Sequence, residues 1–128
     1  MGNVKKIGNK YEELFLKILQ DKGYWCHLFS YNSSGQPCDV IAIKDNITHL
    51  IDVKHCNEDV FYFSRIESNQ HNCFLYATQC GVSMDNLGFA IYSDKTESFH
   101  WLSFKFYCTL QHVKKVKVSC LKKVDDVL

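Results

Sequence analysis

The chain has 128 residues, 46% of them hydrophobic and 14% aromatic, enough apolar material for one packed domain spanning residues 1–128. Fifteen basic against 14 acidic residues leave a net charge of +1, so no whole-molecule field announces a nucleic-acid partner; locally, Lys5, Lys6 and Lys10 gather at the start and Lys114, Lys115, Lys117, Lys122 and Lys123 near the end. There is no apolar secretion signal, no stretch of membrane-spanning length and no disulfide spacing among seven cysteines, so a reduced, soluble, cytoplasmic protein is expected.

In chain order, Tyr11, Leu14, Phe15, Ile18 and Leu19 recur at helical spacing over residues 8–22, with Gly23 as the stop. Glu12 falls on the edge of that apolar stripe. Residues 24–31 are aromatic-rich and predict a strand, and 32–37 a loop in which Ser33-Ser34-Gly35 has the composition of a plain connection. Two apolar strands then flank Asp45-Asn46. A symmetric turn on that pair sets Lys44 opposite Ile47 and, counting outward, Asp39 opposite Asp52. Both faces of this hairpin are largely apolar, with Ile41, Ile43 and Leu50 on one and Val40, Ala42, Ile51 and Val53 on the other, so helices are expected on both sides of the sheet.

Ser64-Arg65-Ile66-Glu67 has the form of a capping box, which predicts a helix from about residue 65 to 80 that stops at Gly81. Its inward stripe would be Ile66, Gln70, Cys73, Phe74 and Ala77. Gln70 is the one polar member, and a buried amide without partners costs about 1–3 kcal/mol, so it should reach a polar group. Residues 87–92 and 99–104 predict two strands separated by a polar turn. Beyond them, 107–115 predicts a short helix and 116–121 a last strand or ragged tail. Trp25, Phe61, Tyr62, Phe63 and Trp101 are expected mostly in the core, with 61–63 beside the acidic hairpin. The sum is an α/β fold, a central mixed sheet flanked by helices.

Side chains alternate along a strand, so Asp39, Asp52 and Lys54 emerge together on one face. Opposed carboxylates with Cβ atoms roughly 5 Å apart repel, and a hard divalent cation bound through oxygen is the natural remedy. The same residues suit phosphodiester hydrolysis, which needs a metal to polarise the phosphate, an activated water and positive charge where negative charge develops. Asp39 and Asp52 would be the metal ligands, Glu12 a third carboxylate and the Val53 carbonyl a further oxygen ligand. Lys54 would orient or deprotonate the water, and Gln70 would project towards Lys54 or the scissile phosphate. His55-Cys56 and His71-Asn72-Cys73 lack Cys-x-x-Cys or His-x-x-x-His spacing, so structural zinc is not expected.

Gly8 followed at the fourth position by Glu12, then Asp39, Asp52-Val53-Lys54 and Gln70, resembles the PD-(D/E)XK nuclease superfamily. Within it the chain is most similar to Holliday-junction resolvases of the RecU and archaeal Hjc type, phage-borne versions included. Phe61-Tyr62-Phe63-Ser64-Arg65-Ile66 running into Asn69-Gln70, and Gly88-Phe89-Ala90-Ile91-Tyr92, carry that closer likeness, which covers roughly residues 8–104. The resemblance implies a restriction-endonuclease-like core, dependence on magnesium (Mg2+, with Mn2+ as substitute), a homodimer with two sites, and symmetric nicking of four-way junctions. Where the superfamily has adjacent Pro and Asp, this chain has Pro37-Cys38-Asp39, and it shows no protruding stalk for a junction centre. Two kinds of function follow: a metal-dependent endonuclease on branched DNA or on flaps, single strands or duplex, and a non-catalytic DNA-binding or scaffold domain of the same fold. The intact set Asp39, Asp52 and Lys54 favours activity.

Overall fold

The computed structural model describes residues 2–29 and 38–128, with side chains from Lys10 onward. The first helix, α1, covers Gly2–Asp21. It ends as the sequence predicts, at Gly23 with φ +90°, a conformation glycine adopts without strain. Strand β1, Trp25–Leu28, follows, and the predicted strand's last residues and the loop with Ser33-Ser34-Gly35 and Pro37 lie outside the described residues. Strands β2, Val40–Lys44, and β3, Ile47–Cys56, form the expected hairpin. Asp45 and Asn46 have φ of +54° and +65°, the two positive values a primed two-residue turn demands and that Asp and Asn tolerate. Lys44 pairs with Ile47 and Val40 with Ile51, the register predicted from the turn.

A short strand β4, Val60–Tyr62, leads into a 3-10 turn, Phe63–Arg65, and then helix α2, Ser68–Gln79. This corrects the Ser64 capping box: the helix starts later, with Glu67 as its N-cap. The reason is tertiary. The Phe63 amide donates to the Lys114 carbonyl at 2.9 Å, which holds residue 63 in a ribbon and delays helix entry. The stop at Gly81 holds, with φ +108° and the Val82 amide reaching back to the Ala77 carbonyl.

Strands β5, Leu87–Ser93, and β6, Ser98–Ser103, precede helix α3, Phe104–Thr109, which begins before the predicted 107. Strand β7, Lys115–Lys117, and a terminal turn of helix, α4, Val124–Val127, complete the chain. The main sheet has the order β1-β2-β3-β5-β6, and β4 pairs with β7 in a separate ribbon. Only β3 and β5 run parallel within the main sheet, as the intervening α2 requires. The sheet is therefore mixed.

Each face carries a core. Phe15 and Leu19 of α1 pack on Val40, Ala42, Ile51, Ala90, Phe99 and Trp101. Phe74 of α2 packs on the other face with Phe89 and Phe104, ring centroids 5.4 and 5.5 Å away, and Phe61 joins this cluster from β4. Trp101 and Phe61 are core as expected. Trp25 is not: it is 60% exposed on the edge strand β1, which among the described residues has a neighbouring strand, β2, on one side alone. Among the described residues no helix is long and apolar enough to cross a membrane.

Candidate active site

The hairpin brings the two aspartates together by a device beyond register. Strand β2 starts at Val40, and Asp39 extends the pairing with its side chain: its Oδ2 accepts from the Val53 amide at 2.8 Å, while its own amide donates to the Ile51 carbonyl at 3.1 Å. A carboxylate thus takes the place of a backbone acceptor, which fixes Asp39 beside Asp52. Asp52 is 1% exposed, and among the described residues neither of its carboxylate oxygens finds a donor.

Burial first, then the Asp39 charge, pushes the Asp52 carboxyl well above the usual carboxylate range, and Lys54 opposes the rise. The side-chain contact with Asp39 adds to the rise. Glu12 responds to the same charges from α1: burial and then Asp39 raise it from 4.5 to about 7, with Lys54 again opposing. Among the described residues, however, no three His, Cys, Asp or Glu side chains surround a common point. The fold therefore joins Asp39 to Asp52 and leaves Glu12 at the margin, within electrostatic reach.

Lys54 lies on the α2 side of β3, two residues beyond Asp52. Its Nζ donates to the Gln70 Oε1 at 3.3 Å and to the Arg65 carbonyl at 3.3 Å. Gln70 Oε1 also accepts from the Glu67 amide at 3.0 Å. The predicted polar partner of Gln70 is thus double: it closes the helix N-terminus and holds the lysine. Two contributors were not legible in the sequence. Arg65 Nη1 donates to the His55 carbonyl at 2.7 Å, anchoring the 3-10 turn whose carbonyl meets Lys54. Tyr11 stacks on His55 with centroids 4.2 Å apart and planes at 13°, docking α1 beside Glu12. Tyr11 belongs to the helical stripe and Arg65 to the predicted capping box, but neither pattern names the partner, His55, that gives each residue its place here.

The donor set fits magnesium. That ion dehydrates reluctantly and is commonly bound through one or two carboxylates with waters and substrate phosphate filling the rest, so two adjacent carboxylates and no complete cage match its chemistry. The orphaned oxygens of Asp52 are what such an ion would satisfy.

No protein-family profile and no curated protein matches this chain. A solved structure does: that of Archaeoglobus fulgidus Hjc, a Holliday junction resolvase from an archaeal hyperthermophile, with a TM-score of 0.69 at 16% identity over 94% of this chain and 93% of that one. The two proteins share a fold. Coverage of 94% of this chain takes in at least part of the segment beyond residue 104, where the likeness read from the sequence ends.

Proposed function

We propose that this chain is a metal-dependent endodeoxyribonuclease acting on branched DNA, with a four-way junction as its substrate. The observation that carries the reading is Asp52, buried with no donor among the described residues, beside Asp39 and two residues before a lysine held by Gln70. A fold would not retain such a repulsive pair for stability, and a binding module has no chemical need of it. The fold shared with an Hjc resolvase supports the choice of DNA, and branched DNA in particular.

Asp39, Asp52 and the Val53 carbonyl would hold magnesium, or manganese in its place, with Glu12 reaching it through water. When bound, the metal supplies Lewis-acid polarisation of the phosphate and a more acidic water. The protein's share is positional. The Val53 amide fixes the Asp39 carboxylate, which would hold the metal from a set position. The Lys54 ammonium would offset charge developing on the phosphate and orient the attacking water. Gln70 and the Arg65 carbonyl hold that ammonium on one side, so it need not be ordered during the reaction.

A four-way junction presents two scissile phosphates related by approximate two-fold symmetry, so we further propose a homodimer with two such sites. Exposed Lys114, Lys115, Lys117, Lys122 and Lys123 supply phosphate contacts. The test is incubation with labelled four-way junction, flap, single-stranded and duplex DNA in magnesium, manganese or EDTA, alongside light scattering. Paired symmetric nicks in junctions by a dimer support the reading. Equal cutting of flaps and junctions by a monomer replaces it with a general structure-selective nuclease, and binding without cutting replaces it with a non-catalytic domain.

A further inference from the structure

Beside the lysine that completes the acidic site lies a cleft of about 340 Å³, within the size range of small-ligand pockets. Tyr62, Phe63 and Tyr107 give it aromatic walls, and Ser64, Gln111 and Lys114 are its polar lining. Tyr62 is 49% exposed although it follows the fully buried Phe61, because alternate residues of β4 face opposite ways. Phe63 packs edge-to-face on Tyr107, centroids 5.1 Å apart, which makes the wall rigid. The Lys115 ammonium stands over the Tyr62 ring, 5.6 Å from its centre, and among the described residues no acidic side chain lines the cleft.

Position gives the cleft its meaning. Ser64 lines it, and the carbonyl of the next residue, Arg65, accepts from Lys54 Nζ at 3.3 Å. An aromatic surface with lysines at its rim is what a nucleotide without a pairing partner requires: a π-face for the base and cations for its phosphates. A paired base, stacked within a duplex, cannot present its face to Tyr62.

We propose that this cleft takes one unpaired base of the substrate strand, stacked on Tyr62, with Lys114 and Lys115 holding the flanking phosphates as the strand runs to Lys54. This deepens the nuclease reading and rests on it: the enzyme then selects DNA by an unstacked nucleotide near the scissile bond. Such nucleotides occur in flaps and single strands, and at a four-way junction when its central pairs open, but not in continuous duplex.

The experiment measures binding in EDTA to an oligothymidylate carrying one 2-aminopurine and to a duplex of equal length. Wild type is expected to quench the 2-aminopurine as it stacks. Tyr62→Ala should abolish the quenching and lower the ratio of single-strand to duplex affinity about tenfold, with Tyr62→Phe restoring both. Lys114→Gln should reduce the salt slope of single-strand binding by about one. The proposal is overturned if Tyr62→Ala, melting as wild type does, still quenches or loses equal affinity for both DNAs. If wild type cuts DNA in magnesium while the cleft variants behave as wild type, the cleft alone fails. If wild type neither binds nor cuts DNA, the nuclease reading fails and the cleft with it.

Discussion

Glu12 gives the acidic site a signature that can be read without substrate. Its carboxyl is raised from 4.5 to about 7, chiefly by burial and then by Asp39. Between those two values the folded protein keeps a proton that the unfolded chain has released, so stability falls as pH rises and the loss is complete above the folded value. The rise corresponds to a ceiling of about 3 kcal/mol, and solvent screening of a half-buried carboxylate cuts that to about 1–2 kcal/mol. Glu12→Gln removes this dependence. In EDTA the variant should match wild type near pH 4.5 and exceed it by about 1–2 kcal/mol at pH 8, about 4–8 °C in Tm for a domain of this size. Buried His49 works the other way: burial lowers its pKa, so stability is lost as pH falls below its ordinary 6.5. That contribution is present in both proteins and cancels in the difference. Thermal melts from pH 4.5 to 8 supply the measurement. A Tm difference independent of pH, or a wild type more stable than the variant at pH 8 in EDTA, refutes the electrostatic account of the site.

Asp52→Asn and Lys54→Ala should each lower cleavage by at least about 10²-fold while leaving DNA affinity and melting close to wild type, because these groups act on the transition state. Activity within a few-fold of wild type in either would remove the residue from the site. Asp39→Asn should weaken magnesium binding in calorimetric titration and raise Tm in EDTA, since it neutralises half of the opposed pair beside the buried Asp52; an unchanged titration contradicts shared ligation. Gln70→Ala should cost about 1 kcal/mol of stability through the lost contact to the Glu67 amide and lower kcat more than it changes KM, as Lys54 loses its partner. A pure stability loss at unaltered kcat would limit Gln70 to capping. Gly88→Ala should destabilise strongly, because a Cβ there would stand 2.4 Å from the Leu102 carbonyl oxygen on the neighbouring strand β6; a wild-type melt would show that the strands can part at no cost.

Local chemistry made the heart of the molecule legible. Asp45 and Asn46 tolerate positive φ, and that alone fixed the β2–β3 register and the opposition of Asp39 to Asp52. The stripe of Phe15 and Leu19 and the stops at Gly23 and Gly81 are likewise set by neighbours within a turn or two of helix. Gln70 was legible as a polar residue that needed a partner, and its position one turn into α2 brings it to Lys54.

What the sequence could not decide depends on contacts between distant segments. Strand β4 has three residues and no pattern of its own. It exists because Val60, Phe61 and Tyr62 pair with Lys117, Val116 and Lys115, more than fifty positions later. That same ribbon captures Phe63, moves the start of α2 from Ser64 to Glu67, and so places the Arg65 carbonyl against Lys54. It also separates the C-terminal lysines, setting Lys114 and Lys115 beside the aromatic cleft and carrying Lys122 to the edge of β6, where its carbonyl accepts from Trp101. The exposure of Trp25 accords with strand order, since among the described residues β1 has a strand neighbour on one side alone. Turn conformation, helix stops and side-chain alternation are local free energies written in adjacent residues. Ribbon pairing, edge position and the meeting of α1 with the acidic strands come from burial and hydrogen bonds that exist only once the chain has closed on itself.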